Sequence, residues 1–171
     1  MKAVKVVAVL SLLVIFPAIS YLYLIKGYNF RLEALQQLEA KKTLEVFNYS
    51  PVVTLEDILG RATIVYNADK KQAYDMLSPI YEQFSHRPDF QMIGFTIDQN
   101  NIDSSAISFQ WRMVNSAYPF EKDLALIDTS GTIRNYYMLD SVSFTALGQH
   151  IPIIIPRKKD PDIVLKRDDE K

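Results

Sequence analysis

The side chains able to do chemistry in this 171-residue chain are few and scattered. Cysteine is absent, which excludes disulfides, thiol nucleophiles, thiolate metal sites and dithiol redox cycling. His86 and His150 are the two histidines. No third ligand stands in motif spacing with them, so both read as solvent-facing instead of as a shared metal site. Asp98 and Asp103 bring two carboxylates to one loop, too few oxygens for a calcium cage, and no Gly-containing binding loop follows. Met76, Met92, Met113 and Met138 carry soft thioethers that suit cuprous copper. They form no M-x-x-M cluster, and core filling explains them. Asp69, Lys70 and Lys71 make a polar loop at the start of a helix and are the candidate interaction loop; loop solvation and helix capping also account for their charges. Serines lack a local base signature, and there is no Gly-rich phosphate loop, G-x-S-x-G elbow or H-E-x-x-H. The expectation is therefore a non-enzyme with no catalytic residue, no metal site and no cofactor.

The elements that must position these residues begin with an anchor. Val6 to Ile25 runs for twenty residues without a charge, the length of a membrane-crossing helix. Lys2 and Lys5 precede it, Lys26 and Arg31 follow it, and Tyr21 and Tyr23 sit near one end, where amphipathic rings favour the interface. Pro17 is tolerable in a membrane helix. The run is long for a signal-peptide core, and no small-residue cleavage site follows it. The reading is an uncleaved single-pass anchor in the plasma membrane, amino terminus cytoplasmic and the rest outside. A net charge of -1 provides no basic excess for nucleic acid.

Four regions follow from the pattern: a transmembrane anchor over 1–27, a helical spacer and first strand over 28–53, an α/β domain over 54–155, and a charged tail over 156–171 that lacks the apolar residues to fold. In the spacer, Leu32, Leu35 and Leu38 form a narrow apolar stripe, and Thr43 to Phe47 alternates weakly as a first strand. Thr54 caps a helical turn before Leu59-Gly60. Ala62 to Tyr66 and Phe90 to Ile97 read as buried strands. Between them Ala73, Met76, Leu77, Ile80, Tyr81 and Phe84 make a complete amphipathic stripe around Pro79, giving a βαβ unit with parallel strands. Asp103 or Ser104 caps a third helix through about Asn115 that carries Ala106, Ile107, Phe109, Trp111, Met113 and Val114. Asp123 to Tyr137 is a hairpin turning at Asp128-Thr129-Ser130-Gly131. A short helix over Ser141 to about His150 closes the domain, with Val142, Phe144 and Leu147 inward and Gly148 weakening its end. Ile151 to Pro156 is an apolar segment that packs along the domain or binds something.

This order resembles a thioredoxin-like domain, a mixed sheet flanked by helices. Several stretches resemble, more narrowly, the membrane-anchored Sco/SenC family of copper-linked cytochrome oxidase assembly factors. Leu59-Gly60 resembles the entry to that family's central strand, and Thr96-Ile97-Asp98 the end of its second. Leu126 to Tyr137 resembles its hairpin pattern L-[IV]-D-x-x-G-x-[IL]-R-x-x-Y. The resemblance implies copper binding and thiol cycling through a C-x-x-x-C pair after the central strand, with a histidine shortly before the hairpin. Here Asn67 to Ala73 holds no sulfur, Asn115 to Lys122 holds no histidine, and the acidic loop is altered. The chain thus resembles a degenerate member that has lost the site. The function expected is a redox-inactive binding or assembly accessory in a bacterial cell envelope, partnered by the membrane through Val6–Ile25 and by another envelope protein, with no nucleic acid. The alternative is copper delivery through non-cysteine ligands.

Overall fold

The computed structural model describes residues 2–49, 53–70, 72–98 and 110–156, and side chains from residue 11 onward. The expected cap at Asp103 or Ser104, the apolar positions Ala106, Ile107 and Phe109, Lys71 and the charged tail beyond Pro156 lie outside the described residues.

One helix, α1 (Lys2–Gln37), carries the apolar run and the first part of the spacer without a break. From Ser11 on it is long and apolar enough to cross a membrane, and the apolar side chains described there, from Leu12 to Ile25, are exposed. Its last turns meet the domain. Ala34 and Leu38, four residues apart, are buried, whereas Leu32 and Leu35 stay 44% and 48% exposed. Of the leucine series expected from spacing, Leu38 alone is buried, and it is joined by the small Ala34 one turn before it.

A six-stranded sheet follows, in the order β1-β6-β5-β2-β3-β4. Its centre is β2 (Ala62–Asn67) beside β3 (Phe90–Thr96), parallel and joined by α3 (Gln72–Phe84). Ala73, Leu77, Ile80 and Phe84 bury the predicted stripe, and α3 continues through the exposed Pro79. β4 (Trp111–Asn115) is parallel to β3 on its far side. This corrects the expected third helix at its described end. Trp111 and Met113 face α3 while Val114 packs on the opposite side, a period of two that an apolar run can hide. β5 (Leu124–Ile127) and β6 (Thr132–Tyr137) form the antiparallel half beside β2.

The first strand is shorter than expected. β1 (Lys42–Thr43) pairs with Ile133 and Thr132 of β6, and the chain then leaves the sheet. Leu44 and Phe47 both pack into one core, which strict alternation over three residues forbids. They join a one-turn helix, α2 (Leu55–Ile58), in covering the sheet face opposite α3. Thr54 stands at the expected N-cap position, where the Asp57 carboxylate reaches back to it: Oδ2 accepts from Thr54 N and Oγ1 at 2.8 and 2.9 Å.

α4 (Ser141–Ile154) lies on the same face as α3 and runs four residues past the expected end, through Gly148 and Pro152. Ile151 to Ile154 is thus helix, not a separate segment. Leu147, His150 and Ile151 point inward, but Val142 is 81% exposed. Five residues of helix rotate a side chain by about 140° relative to Leu147, so both cannot face the core.

The hairpin is held by a buried carboxylate. Asp128 Oδ1 accepts from Ser130 N at 2.9 Å, Ser130 Oγ at 2.6 Å and Thr132 N at 2.9 Å. Oδ2 accepts from Arg134 Nε at 2.7 Å. Pairing shifts between Leu126 and Ile127, which oppose Asn135 and Ile133, so Arg134 is the extra residue of a bulge that aims its guanidinium back at the turn. Gly131 takes φ 78°, a value that disfavours any side chain. Burial raises the Asp128 pKa, but the hydrogen bonds from Ser130, Thr132 and Arg134 outweigh it and hold the carboxyl below its ordinary value. A depressed carboxylate contributes stability above its unfolded pKa and loses it as pH falls through the folded one. Asp128→Asn in the full chain in detergent is expected to lose about 2–4 kcal/mol at neutral pH. Urea unfolding should show the gap from wild type closing below about pH 4; a gap that persists there would remove the carboxylate from the explanation.

Candidate functional site

The carboxyl ends of β2 and β3 meet the amino end of α3 at the candidate loop. Backbone bonds set the level: Ala68 N donates to Phe95 O at 2.8 Å and Asn67 N to Asp123 O at 3.0 Å. Asn67 Oδ1 accepts from Asp69 N at 3.0 Å, an Asx turn that starts the loop. Asp69 then reaches across to β3. Its Oδ1 accepts from the buried Thr96 hydroxyl and from Ile97 N at 3.3 Å. Thr96 Oγ1 in turn accepts from Asp98 N at 3.1 Å. Lys70 Nζ lies 3.6 Å from Asp123 Oδ1, and Asp123 Oδ2 accepts from Leu139 N at 3.1 Å. Asp69 thus ties the loop to β3, and Lys70 points to the junction of the hairpin with α4. Both residues are exposed. The arrangement offers a carboxylate and an ammonium already engaged with neighbours.

Beneath the loop lies a constellation that the residue pattern alone did not reveal. Tyr66, Gly94 and Met113 stand side by side on β2, β3 and β4. The Tyr66 ring crosses over Gly94 so that its hydroxyl accepts from Trp111 Nε1 at 2.7 Å and lies 3.4 Å from the Met113 sulfur. A Cβ on Gly94 would come within 2.6 Å of both the Tyr66 ring and that sulfur. Tyr74 and Tyr81 of α3 stack and tilt on Trp111, with centroids at 5.0 and 4.8 Å. Burial pushes the Tyr66 phenol up to about 12, against the lowering effect of the Trp111 hydrogen bond, so it stays protonated. A glycine inside an apolar strand was the one signal for this close approach.

The other predicted groups are dispersed. His150 is not solvent-facing: it is buried on α4, and its Nδ1 lies 2.7 Å from the Tyr137 hydroxyl. Burial lowers its pKa and favours neutral imidazole. The helix running past Gly148 is what turns it inward. His86 is exposed beyond α3 and lines a different cavity with Phe84, Arg87 and Pro156. Met92 is buried and Met113 half-buried, but Met138 is 48% exposed just beyond β6, outside the core-filling role expected of it. Asp98 is exposed, while Asp103 lies outside the described residues. Among the described residues, no group of three or more His, Asp and Glu side chains converges on a possible metal position.

On the opposite face, Gln91 is fully buried in β3. Its Nε2 donates to Asp57 O at 2.8 Å and Thr63 Oγ1 at 2.9 Å, and its Oε1 accepts from Arg112 at 2.8 Å. Arg112 also pairs with Asp57 at 3.1 Å. This network pins α2 to three strands.

The parallel β2-α3-β3 unit continued by the antiparallel β5-β6 hairpin and α4, with α3 and α4 on one face, decides the architecture. The fold is thioredoxin-like. No protein-family model and no curated protein matches the sequence. Among solved structures, a candidate thiol:disulfide interchange protein DsbE from Chlorobium tepidum is similar at TM-score 0.54 and 15% identity, over 70% of this chain and 99% of that one. A SCO1/SenC family lipoprotein from Bacillus anthracis is similar at TM-score 0.51 and 12% identity, over 66% of this chain and 94% of its own. Identity at this level establishes the shared fold alone. In this thioredoxin-like chain the loop after the central strand carries Asn67, Asp69 and Lys70.

Gly94→Ala tests the notch under that loop. It is expected to cost about 1–3 kcal/mol through overpacking. Because Trp111 is the single tryptophan, displacement of Tyr66 should also shift its fluorescence emission to the red. Unchanged emission and stability would contradict the close approach.

Proposed function

We propose that this chain is a membrane-tethered, thiol-free thioredoxin-like domain that works by binding, as an accessory or assembly protein of the cell envelope, and not as an enzyme. One observation carries this reading. The loop after the central strand has no sulfur, and its described charged groups have local partners, Asp69 with Thr96 and Ile97, Lys70 with Asp123. Beside the exposed Asp69, Lys70 and Asp98, that end of the sheet also offers apolar side chains outward: Ile97 is 68% exposed, and Tyr74, Met138 and Val142 are exposed near the same strand ends. Such side chains suit a protein partner more than a small polar substrate. Membrane tethering is supported by the exposed apolar α1, and an outward-facing domain by Lys2 and Lys5 ahead of the run.

Two measurements test the reading. A photo-crosslinking residue at Ile97 or Met138, in cells expressing the full chain, is expected to give a discrete envelope-protein adduct, whereas one at the exposed Val46 gives none. The same adduct from all three positions, or no adduct from any, would contradict docking at the sheet's end. Cuprous titration of the full chain in detergent addresses copper delivery. No stoichiometric binding is expected; stoichiometric binding abolished by His86→Ala or His150→Ala would replace the binding-only reading with copper delivery.

A further inference from the structure

The sequence pattern and the fold meet at one place, the junction of α1 with α4. α1 is helical from Lys2 to Gln37, so residues beyond the apolar run continue along the same axis. Phe30 is five residues past Ile25, about 7.5 Å at the helical rise. The headgroup layer on each side of a bilayer is about 5–7 Å deep. Wherever Val6–Ile25 spans the hydrocarbon, Phe30 therefore stands at the outer edge of the headgroup layer and Arg31 about 1.5 Å beyond it, and because helical side chains tilt toward the amino end of their helix both lean back into that layer. At that level they line an open groove of about 400 Å³ together with Gln149, Pro152, Ile153 and Pro156. The docking of Ala34 and Leu38 in the domain holds this end of α4 against α1.

The groove's chemistry fits the layer it faces. Phe30 is 47% and the neighbouring Tyr28 67% exposed, aromatic rings of the kind that settle at an interface. Lys26 and Arg31 add cations on the same helix turns, and Pro152 and Pro156 are exposed on the α4 side. A soluble occupant would have to enter between domain and bilayer, whereas lipid headgroups are already there.

We propose that the α1–α4 end of the domain is seated in the headgroup layer of the membrane that α1 crosses, its groove occupied by anionic phospholipid. The seating rests on the membrane-spanning reading of α1, and it turns the strand ends bearing Asp69 and Ile97 away from the bilayer.

The absence of cysteine makes single-site labelling direct. Four variants of the full chain, Tyr28→Cys, Gln149→Cys, Pro152→Cys and Ile97→Cys, carry an environment-sensitive fluorophore in vesicles of phosphatidylcholine and phosphatidylglycerol. Headgroup-nitroxide lipid is expected to quench the labels at 28, 149 and 152 and to leave the one at 97 bright. Quenching at 28 with 149 and 152 as bright as 97 would overturn the seating while leaving the anchor intact. Loss of quenching at 28 would overturn the anchor and the seating together. Arg31→Gln, or omission of phosphatidylglycerol, is expected to weaken quenching at 149 but not at 28. Insensitivity to both changes would overturn the anionic preference.

Discussion

Burial of both faces of β2 and β3 is the constraint on which the remaining structure depends. Ile64, Val65, Met92, Ile93 and Phe95 are all fully buried, so each face of the central pair must be roofed. Each such side chain contributes about 1.5–3 kcal/mol when removed from water. α3, α4 and the end of α1 roof one face in the ordinary way. Among the described residues the other face is covered by the single turn of α2, the irregular chain around Phe47 and Tyr49, and Tyr118 and Phe120 ahead of β5. A roof with so little regular structure leaves backbone groups to satisfy, and Gln91, Asp57 and Arg112 supply bonds that hold it down. A fully buried glutamine in a central strand has a physical cause here: it replaces what a packed helix would otherwise provide.

The same sheet determines what its carboxyl end can offer. Asp69 and Lys70 project from the position where a βαβ crossover presents side chains to solvent, yet each is drawn to a neighbour on another element. The two links differ in weight. Lys70 is 57% exposed along its side chain, and a pair so open to water adds little. Asp69 meets a buried hydroxyl, and that bond joins the loop to β3 with far less competition from water. The loop is thereby built as a tie between strands.

Several features were legible in the residues alone. The apolar run, the amphipathic stripe of α3, the buried strands around it and the Asp128-Gly131 turn all rest on local periodicity or on one residue's conformational preference. The thioredoxin-like order followed from their succession. The errors cluster where local pattern was ambiguous. The end of the expected third helix became β4 because an apolar run with alternating facing looks the same in one dimension. α4 outran Gly148 because packing by Leu147, Ile151 and Ile155 outweighs one weak helix former. The candidate loop was located by its place after a strand, but the partners that engage it were out of reach.

Sequence by itself determined the absence of thiol chemistry, since no fold can supply a sulfur that the chain lacks. It also determined the apolar length of α1 and the positive φ that Gly131 must take. Only the tertiary structure decided that Tyr66 lies across Gly94 to Trp111, that His150 turns inward to Tyr137, and that Asp69 meets Thr96. Those pairs lie 45, 13 and 27 residues apart in the chain. Nothing in local periodicity records which strands become neighbours, and a side chain's bonding partner is set by that neighbourhood.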